Sequence, residues 1–310
     1  MTNREKVNEL KRIIYETLTP YITKNYWLLD VPHHDNVGDI LIWQGEIDFL
    51  ASRKYRCLGM SASDSAVIPN ISDGDLILFH GGGNFGDLWP IQHQYKKLIM
   101  AKFPRCKYLF FPQTVWWENE QSLSEDANFF ANYDCTICAR DKVSYAKLKD
   151  RFKNEILLVP DMAFCMNISK YLLSPKQFKR PFLLRRNDIE FMPHEKIAEL
   201  TGSHIEAFDW TPIMKKTKYH RLREILQQTL PRSGWLYELF MYHIYRPFLI
   251  RSGVRQLLSY TDIYTTRLHG LILSILLNKD SVFLFDNSYS KNFSFYTTWL
   301  TDLEAVGIIK

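Results

Sequence analysis

The sequence lacks the features that would place a protein outside the cell, across a bilayer or on a nucleic acid. It has only five cysteines, Cys57, Cys106, Cys135, Cys138 and Cys165, an odd number without the spacing of a disulfide framework. That usage points to a reducing compartment. Cys135 and Cys138 form a C-x-x-C, but no second pair completes a zinc site. In the strand-like run 133–139, residues three apart point to opposite faces, so both read as buried thiols. No apolar run reaches the length of a spanning helix. The first residues carry Arg4, Glu5 and Lys6 and no apolar signal region, so a cytoplasmic protein is expected. The net charge of +5 comes without a zinc-finger, RNP or helix-turn-helix signature. Nucleic acid is therefore not an expected partner, whereas an anionic small molecule or the cytoplasmic face of the inner membrane is. Repeats and low-complexity tracts are absent. What remains is a globular composition, 46% hydrophobic and 24% charged, on 310 residues, enough for two domains. Aromatics, at 15%, suit a sugar-handling protein or a membrane surface, though cores use them too.

The first half alternates apolar strands with helices. Strands are predicted at 26–31, 76–79, 108–111, 136–139 and 156–159. Each ends in a polar, Gly- or Pro-marked loop: His33–Asp39, His80–Asp87, Pro112–Thr114, Arg140–Asp141 and Pro160–Asp161. That is the pattern of a parallel α/β sheet whose site lies beyond the carboxyl ends of its strands. A second α/β unit starts near 179–181, with strands at 182–184, 204–208, 262–265 and 282–285. The expected division is 1–175 and 176–310, the two loop edges facing across a cleft, where ligands commonly bind. An aromatic and basic insertion occupies 210–255. Within it, 230–251 reads either as an interfacial segment, with Arg232, Arg246 and Arg251 at lipid headgroups, or as a packed helical insertion or dimer contact. The packed insertion is the favoured reading.

The stretch Thr265–Gly270 joins a strand to a helix. Leu268, Leu271, Ile272, Ile275 and Leu276 define one apolar face, and Thr265 and Thr266 stand where an N-cap belongs. Arg267 and His269 then project from the first turn, beside unpaired N–H groups and a positive dipole end. Arg185 and Arg186 end another strand, and planar guanidinium forks match carboxylate and phosphate. The glycines of Gly81–Gly86 match neither G-x-G-x-x-G nor a Walker A loop, so nucleotide binding is unsupported. A tight turn before a helix accounts for the glycines, but not for Asn84 and Asp87. Asp39, in the first turn of its helix, complements the dipole or serves a sugar hydroxyl. No nucleophile elbow and no metal-ligand spacing is found, and adjacent His33 and His34 diverge, so no metal is expected.

Asn36-x-Gly38-Asp39, Gly81–Asp87, Pro112–Thr114, Arg140–Asp141, Pro160–Asp161, Arg267–Gly270 and Asp286–Asn292 with Trp299 occur in the order seen in polysaccharide pyruvyl transferases, and the chain resembles that family over roughly residues 26–300. The resemblance implies two Rossmann-like domains in a GT-B-like arrangement. It implies transfer of the enolpyruvyl unit of phosphoenolpyruvate onto two hydroxyls of a hexose in a bacterial exo- or capsular-polysaccharide precursor, with phosphate released. Phosphoenolpyruvate is then a co-substrate, no cofactor is required, and the saccharide acceptor is lipid-linked or free. By the same resemblance Arg267, Leu268, His269 and Gly270, with Arg185 or Arg186, hold the donor. Asn36, Asp39, Gly83, Asn84, Asp87, Gln113, Lys291 and Asn292 face the acceptor. His269 is the expected general acid, in histidine's working range. The helix N-terminus alone would lower its pKa, and the bound phosphate and carboxylate would oppose that. Asp39 and Asp87 are candidate bases. A GT-B glycosyltransferase using a nucleotide sugar and a non-catalytic saccharide-binding subunit of an envelope-assembly complex are the alternatives.

Overall fold

Two parallel sheets organise the chain in a computed structural model that describes residues 1–64, 68–176, 178, 180–187, 192–201, 205, 207–230, 235–286 and 291–309. Met1–Glu9, His34–Leu41 and Asn167–Lys310 form one unit, and Leu10–His33 with Ile42–Met166 form the other. The sequence reading expects a single division, at 175/176. The spatial division is discontinuous, because Met1–Glu9 and a short stretch after the first strand are gathered with the C-terminal half.

The N-terminal unit holds β1 (Tyr26–Leu29), β2 (Cys57–Ser61), β3 (Leu76–Phe79), β4 (Gly82–Gly86), β5 (Lys107–Trp116), β6 (Cys135–Ala139) and β7 (Glu155–Leu158). Their order is β2-β1-β3-β5-β6-β7, with β4 paired to β5, and the pairings are parallel. Helices α1 (Asn3–Leu18), α2 (Val37–Ala51), α3 (Pro90–Lys102), α4 (Glu120–Phe130) and α5 (Lys142–Arg151) alternate with the strands, the first turns of α1 and α2 belonging to the other unit. Central strands such as β3 and β6 are buried at every position. This is why they read as unbroken apolar runs rather than alternating ones. Much of the aromatic content lies in this core, where the Phe85 ring centroid is 5.1 Å from that of Phe130 and 5.4 Å from that of Phe110. Cys106, Cys135, Cys138 and Cys165 are free and buried, and Cys57 is free and half-buried.

Two expected loops are strand. Residues 82–86 form β4, and β5 runs through Pro112–Thr114 to Trp116. The glycines explain the difference. A Cβ on Gly86, whose φ is +106°, would stand 1.9 Å from Trp116 O, so only glycine lets β4 lie this close to β5.

The C-terminal unit holds β8 (Phe182–Leu184), β9 (Ala207–Phe208), β10 (Ile263–Thr265), β11 (Val282–Phe285) and β12 (Val306–Ile309), in the parallel order β12-β11-β10-β8-β9. Its helices are α6 (His194–Thr201), α7 (Trp210–Lys215), α8 (Lys218–Thr229), α9 (Trp235–Phe240), α10 (Arg246–Leu258), α11 (Leu268–Leu276) and α12 (Lys291–Trp299), and a π-turn (Met241–Tyr245) joins α9 to α10. Residues 204 and 206 of the expected strand 204–208, Arg232 of the alternative interfacial reading, and 287–290 of the segment 286–292 lie outside the described residues. The stretch 235–251 is a packed helical one. Tyr237, Met241, Tyr245, Leu249 and Ile250 are buried, and so is Arg246, which only the less favoured interfacial reading sets at a lipid headgroup. Helix α11 is buried from Gly270 to Leu276, not along one face alone. Its all-round apolarity matches a helix enclosed by its own domain. Among the described residues no helix is long and apolar enough to cross a membrane.

Strand order reverses between β1 and β3 in one unit and between β8 and β10 in the other. In open α/β sheets the crevice at such a switch point, beyond the carboxyl ends, is where ligands bind.

Candidate functional site

In the C-terminal unit the charged residues gather at the switch point. Arg185, Arg186 and Asn187 follow β8, Asp209 follows β9, and Thr266 and Arg267 follow β10. The N-cap of α11 is Arg267 itself, with φ −99° and ψ 123° and no side-chain cap, rather than Thr265 or Thr266. The threonines instead tie strand ends together. Thr265 Oγ1 accepts from the Arg267 N–H at 2.9 Å, and Thr266 Oγ1 accepts from the Arg186 N–H at 2.9 Å.

Arg267 is 5% exposed and donates Nε to Asp209 Oδ1 at 2.6 Å and Nη2 to Oδ2 at 2.8 Å. This bidentate fork fixes the plane of the guanidinium. Asp209 also accepts from the N–H groups of Asn187 (3.1 Å) and Trp210 (2.7 Å). Sequence reasoning missed Asp209. Its signal is the one that marks the other site residues, a polar side chain directly after a strand.

His269 is half-buried in the first turn of α11, and it meets the other end of the chain. A Cβ on Gly38 would stand 2.7 Å from His269 Nδ1 and 3.1 Å from its Cβ and Cγ. Only glycine at 38 leaves room for the ring. Around it, Asn36 Oδ1 accepts from the Gly38 N–H (3.1 Å), Asn36 Nδ2 donates to Asp39 Oδ2 (2.8 Å), and His34 Nε2 lies 3.6 Å from the same oxygen. Asn36-x-Gly38-Asp39 and Arg267-Leu268-His269-Gly270 are thus one constellation. Gly270 is similarly required: its Cβ would stand 2.4 Å from Thr265 Oγ1.

The segment 34–41 is held from behind by the stretch in which the sequence shows no motif. Asp35, buried, accepts from the Tyr245 hydroxyl and lies 3.1 Å from His220 Nδ1 and 3.4 Å from Arg223 Nη1. Burial and the Asp35 carboxylate push the Tyr245 phenol well above its ordinary range, so it stays a donor. Tyr245 sits in the π-turn, a feature often found at functional sites. On α10, a Cβ at Gly253 would stand 2.9 Å from Val37 Cγ1. Helix α8, the π-turn and α10 therefore form the bed on which Gly38 is presented to His269.

The other predicted residues of this unit bind the strand ends. Asn292 is fully buried, its Nδ2 donating to Phe285 O (2.8 Å) and Thr266 O (3.1 Å). Lys291 opens α12. Arg185 donates its N–H to Phe208 O (2.8 Å) and Nη1 to Met192 O (3.4 Å), while Arg186 is the more buried of the pair.

The N-terminal unit carries its own polar network. Asp30, ending β1 with a left-handed φ of 64°, accepts from Asn84 Nδ2 (2.9 Å) and from Lys96 Nζ, which also donates to Asn84 Oδ1 (3.1 Å). Burial pulls the Lys96 pKa down against the pull of Asp30. At the end of β3, His80 Nδ1 lies 2.8 Å from Glu46 Oε2, and Glu46 Oε1 accepts from the Gly81 N–H at 2.8 Å. Burial keeps the Glu46 carboxyl above its ordinary range. Gln113 is fully buried and donates Nε2 to His80 O (2.7 Å). Arg140 donates to Thr114 Oγ1 (2.8 Å) and Asp161 Oδ2 (2.7 Å), and Asp141 caps α5 through the Ser144 N–H (2.9 Å). Gly83 lies beside Arg140, its Cβ position 3.5 Å from Nη2. Asp87 accepts from the Glu118 N–H at 3.0 Å. Asp30, Glu46 and Lys96 were not singled out from the sequence. Among the described residues no group of three His, Cys, Asp or Glu could hold a metal ion.

Known proteins resemble the chain in sequence and in fold. The family model described as "Polysaccharide pyruvyl transferase" matches residues 36–289. The chain is 29% identical over 287 residues to EpsO of Bacillus subtilis (strain 168), provisionally named a pyruvyl transferase, covering 91% of this chain and 87% of that protein. It is 28% identical over 312 residues to "Pyruvyl transferase 1" of Schizosaccharomyces pombe, covering 92% and 73%. The fold is similar to the crystal structure of an uncharacterized protein of Klebsiella pneumoniae, with a TM-score of 0.67 at 19% identity, over 97% of this chain and 98% of that one.

Proposed function

The chain belongs to the polysaccharide pyruvyl transferase family, and from that premise we propose that it transfers the enolpyruvyl unit of phosphoenolpyruvate to two hydroxyls of a hexose, forming a cyclic ketal and releasing phosphate. A GT-B-like arrangement and a precursor of a bacterial exo- or capsular polysaccharide as acceptor belong to the same proposal. The observation that carries it is the packing of His269 on Gly38, which joins a positioned imidazole to the Asn36–Asp39 side chains at a cation-lined switch point.

In this reading Arg267, oriented by Asp209, and an arginine of the 185–186 pair hold the donor's carboxylate and phosphate. His269 delivers a proton to C3 of phosphoenolpyruvate, which becomes a methyl group and leaves C2 oxocarbenium-like. One sugar hydroxyl adds to C2, its proton passing to a base, for which Asp39 is the proposed residue. The C2–O bond to phosphate then breaks, its electron pair leaving with phosphate, which takes the proton held by Asp39, and the second hydroxyl closes the ketal as its proton returns to His269. A positioned acid of this kind contributes on the order of 100- to 10,000-fold. His269→Ala is expected to keep its circular dichroism and melting temperature while losing phosphate release by about 100-fold or more. The assay pairs phosphoenolpyruvate with galactosides, glucosides and mannosides and reads phosphate and the mass of the acceptor. Near-normal turnover in the variant removes His269 from the mechanism. Turnover of nucleotide sugars without phosphoenolpyruvate replaces the whole reading with a glycosyltransferase.

A further inference from the structure

We propose that the stretch running from the end of α7 through α8, α9 and the π-turn into α10 docks the protein onto an anionic membrane face. Two independent observations meet there. The first is charge: residues 215–255 contain nine Lys and Arg and two acidic residues, Glu224 and Glu238, a net +7. The whole chain is +5, so everything outside this stretch sums to −2. The basic character of the protein belongs to one segment of the chain. Lys215, Lys216, Lys218, Arg221, Arg251 and Arg255 are exposed and make no ion pair with a described carboxylate.

The second observation is apolar exposure. Leu222, Ile225, Leu236, Leu239 and Ile244 are each between 41% and 55% exposed, five of the twelve large exposed hydrophobics among the described residues, within 23 positions. They are ordered along the helices. Lys218, Leu222 and Ile225 fall at i, i+4 and i+7 on α8, and Leu236 and Leu239 are three apart on α9. The stretch is anchored through other positions: Tyr237 of α9 and Met241 and Tyr245 of the π-turn are buried, and Tyr245 bonds Asp35. A solvated face would be polar on the outside. Aliphatic side chains interspersed with exposed cations are instead the composition of an interfacial helix on anionic lipid. A second copy of this chain fits poorly as the occupant, since a symmetric contact would set the +7 segment against itself. This docking does not depend on the catalytic reading.

The test is co-sedimentation of the full chain with vesicles of phosphatidylcholine, with and without phosphatidylglycerol. Binding is expected only with phosphatidylglycerol and weakens as salt is raised. Lys215→Gln/Lys218→Gln/Arg221→Gln should weaken it roughly a hundredfold. Leu236→Ser/Leu239→Ser/Ile244→Ser should abolish it with an unchanged melting temperature, because these side chains are exposed. Light scattering of the same samples reads oligomeric state. Equal binding to both vesicle types, no binding to either, or a triple-serine variant that dissociates an oligomer while still sedimenting with vesicles would each overturn the proposal.

Discussion

Replacing Gly38 by alanine tests the contact that joins the two ends of the chain. The new Cβ would stand 2.7 Å from His269 Nδ1, where ordinary contact begins near 3.4 Å, so about 0.7 Å must be absorbed. The first turn of α2 has little freedom to give. Asn36 holds the Gly38 N–H, Asp35 is bonded by Tyr245, and Val37 lies against α10 at Gly253. The displacement therefore falls on the imidazole. Overpacking of this kind costs about 1–3 kcal/mol, and the better helix propensity of alanine offsets about 1 kcal/mol. The net loss of stability is about 0–2 kcal/mol, read from the urea midpoint. A catalytic group moved by about 1 Å loses on the order of 100-fold in rate, so kcat/KM for phosphate release should fall roughly 10- to 100-fold. Activity is lost out of proportion to stability. A double-mutant cycle isolates the cause: in the His269→Ala background the ring is gone, so Gly38→Ala should cost nothing further and the stability loss should vanish. Wild-type phosphate release in Gly38→Ala, or effects that simply add to those of His269→Ala, would refute the reasoning.

Two further predictions concern the charged pairs. Asp209→Asn leaves the Arg267 guanidinium buried without its counter-charge, both partners being 6% exposed or less. A loss of about 3–5 kcal/mol is expected, as a lower urea midpoint with an unchanged slope; a shift below about 1 kcal/mol would show that the pair does not hold the site. Asp126 is the second case. Burial raises its pKa, but His93, Lys97 and Trp117 donate to the carboxylate at 2.6–2.7 Å and outweigh that effect, holding it at about 2 against an ordinary 3.8. A depressed folded-state pKa contributes stability that is present above the unfolded value and lost as pH falls through the folded one. About 2 kcal/mol should therefore disappear between roughly pH 4 and pH 2. Asp126→Asn should remove that part of the acid dependence, and identical pH profiles of the urea midpoint for the two proteins would contradict it.

The class of the fold and the positions of most site residues are legible in the sequence. Parallel strands buried on both faces read as apolar runs, and the polar residues directly after each run lie at the carboxyl edge of a sheet. That local rule finds Arg186, Arg267, Arg140 and Asp161, and it would have found Asp209 had the two-residue β9 been delimited. It fails where side-chain pattern is missing: Gly82–Gly86 reads as a turn because glycines carry no periodicity, and only the approach of Trp116 shows it to be a strand. It fails again over 210–255, where no motif marks Tyr245 or His220 as the support for Asp35. The sequence by itself determined which residues stand at strand ends, since that depends on neighbours a few positions away. Only the tertiary structure decided that Gly38 lies against His269 and that Asp209 orients Arg267, because such contacts depend on how distant segments close on one another in three dimensions.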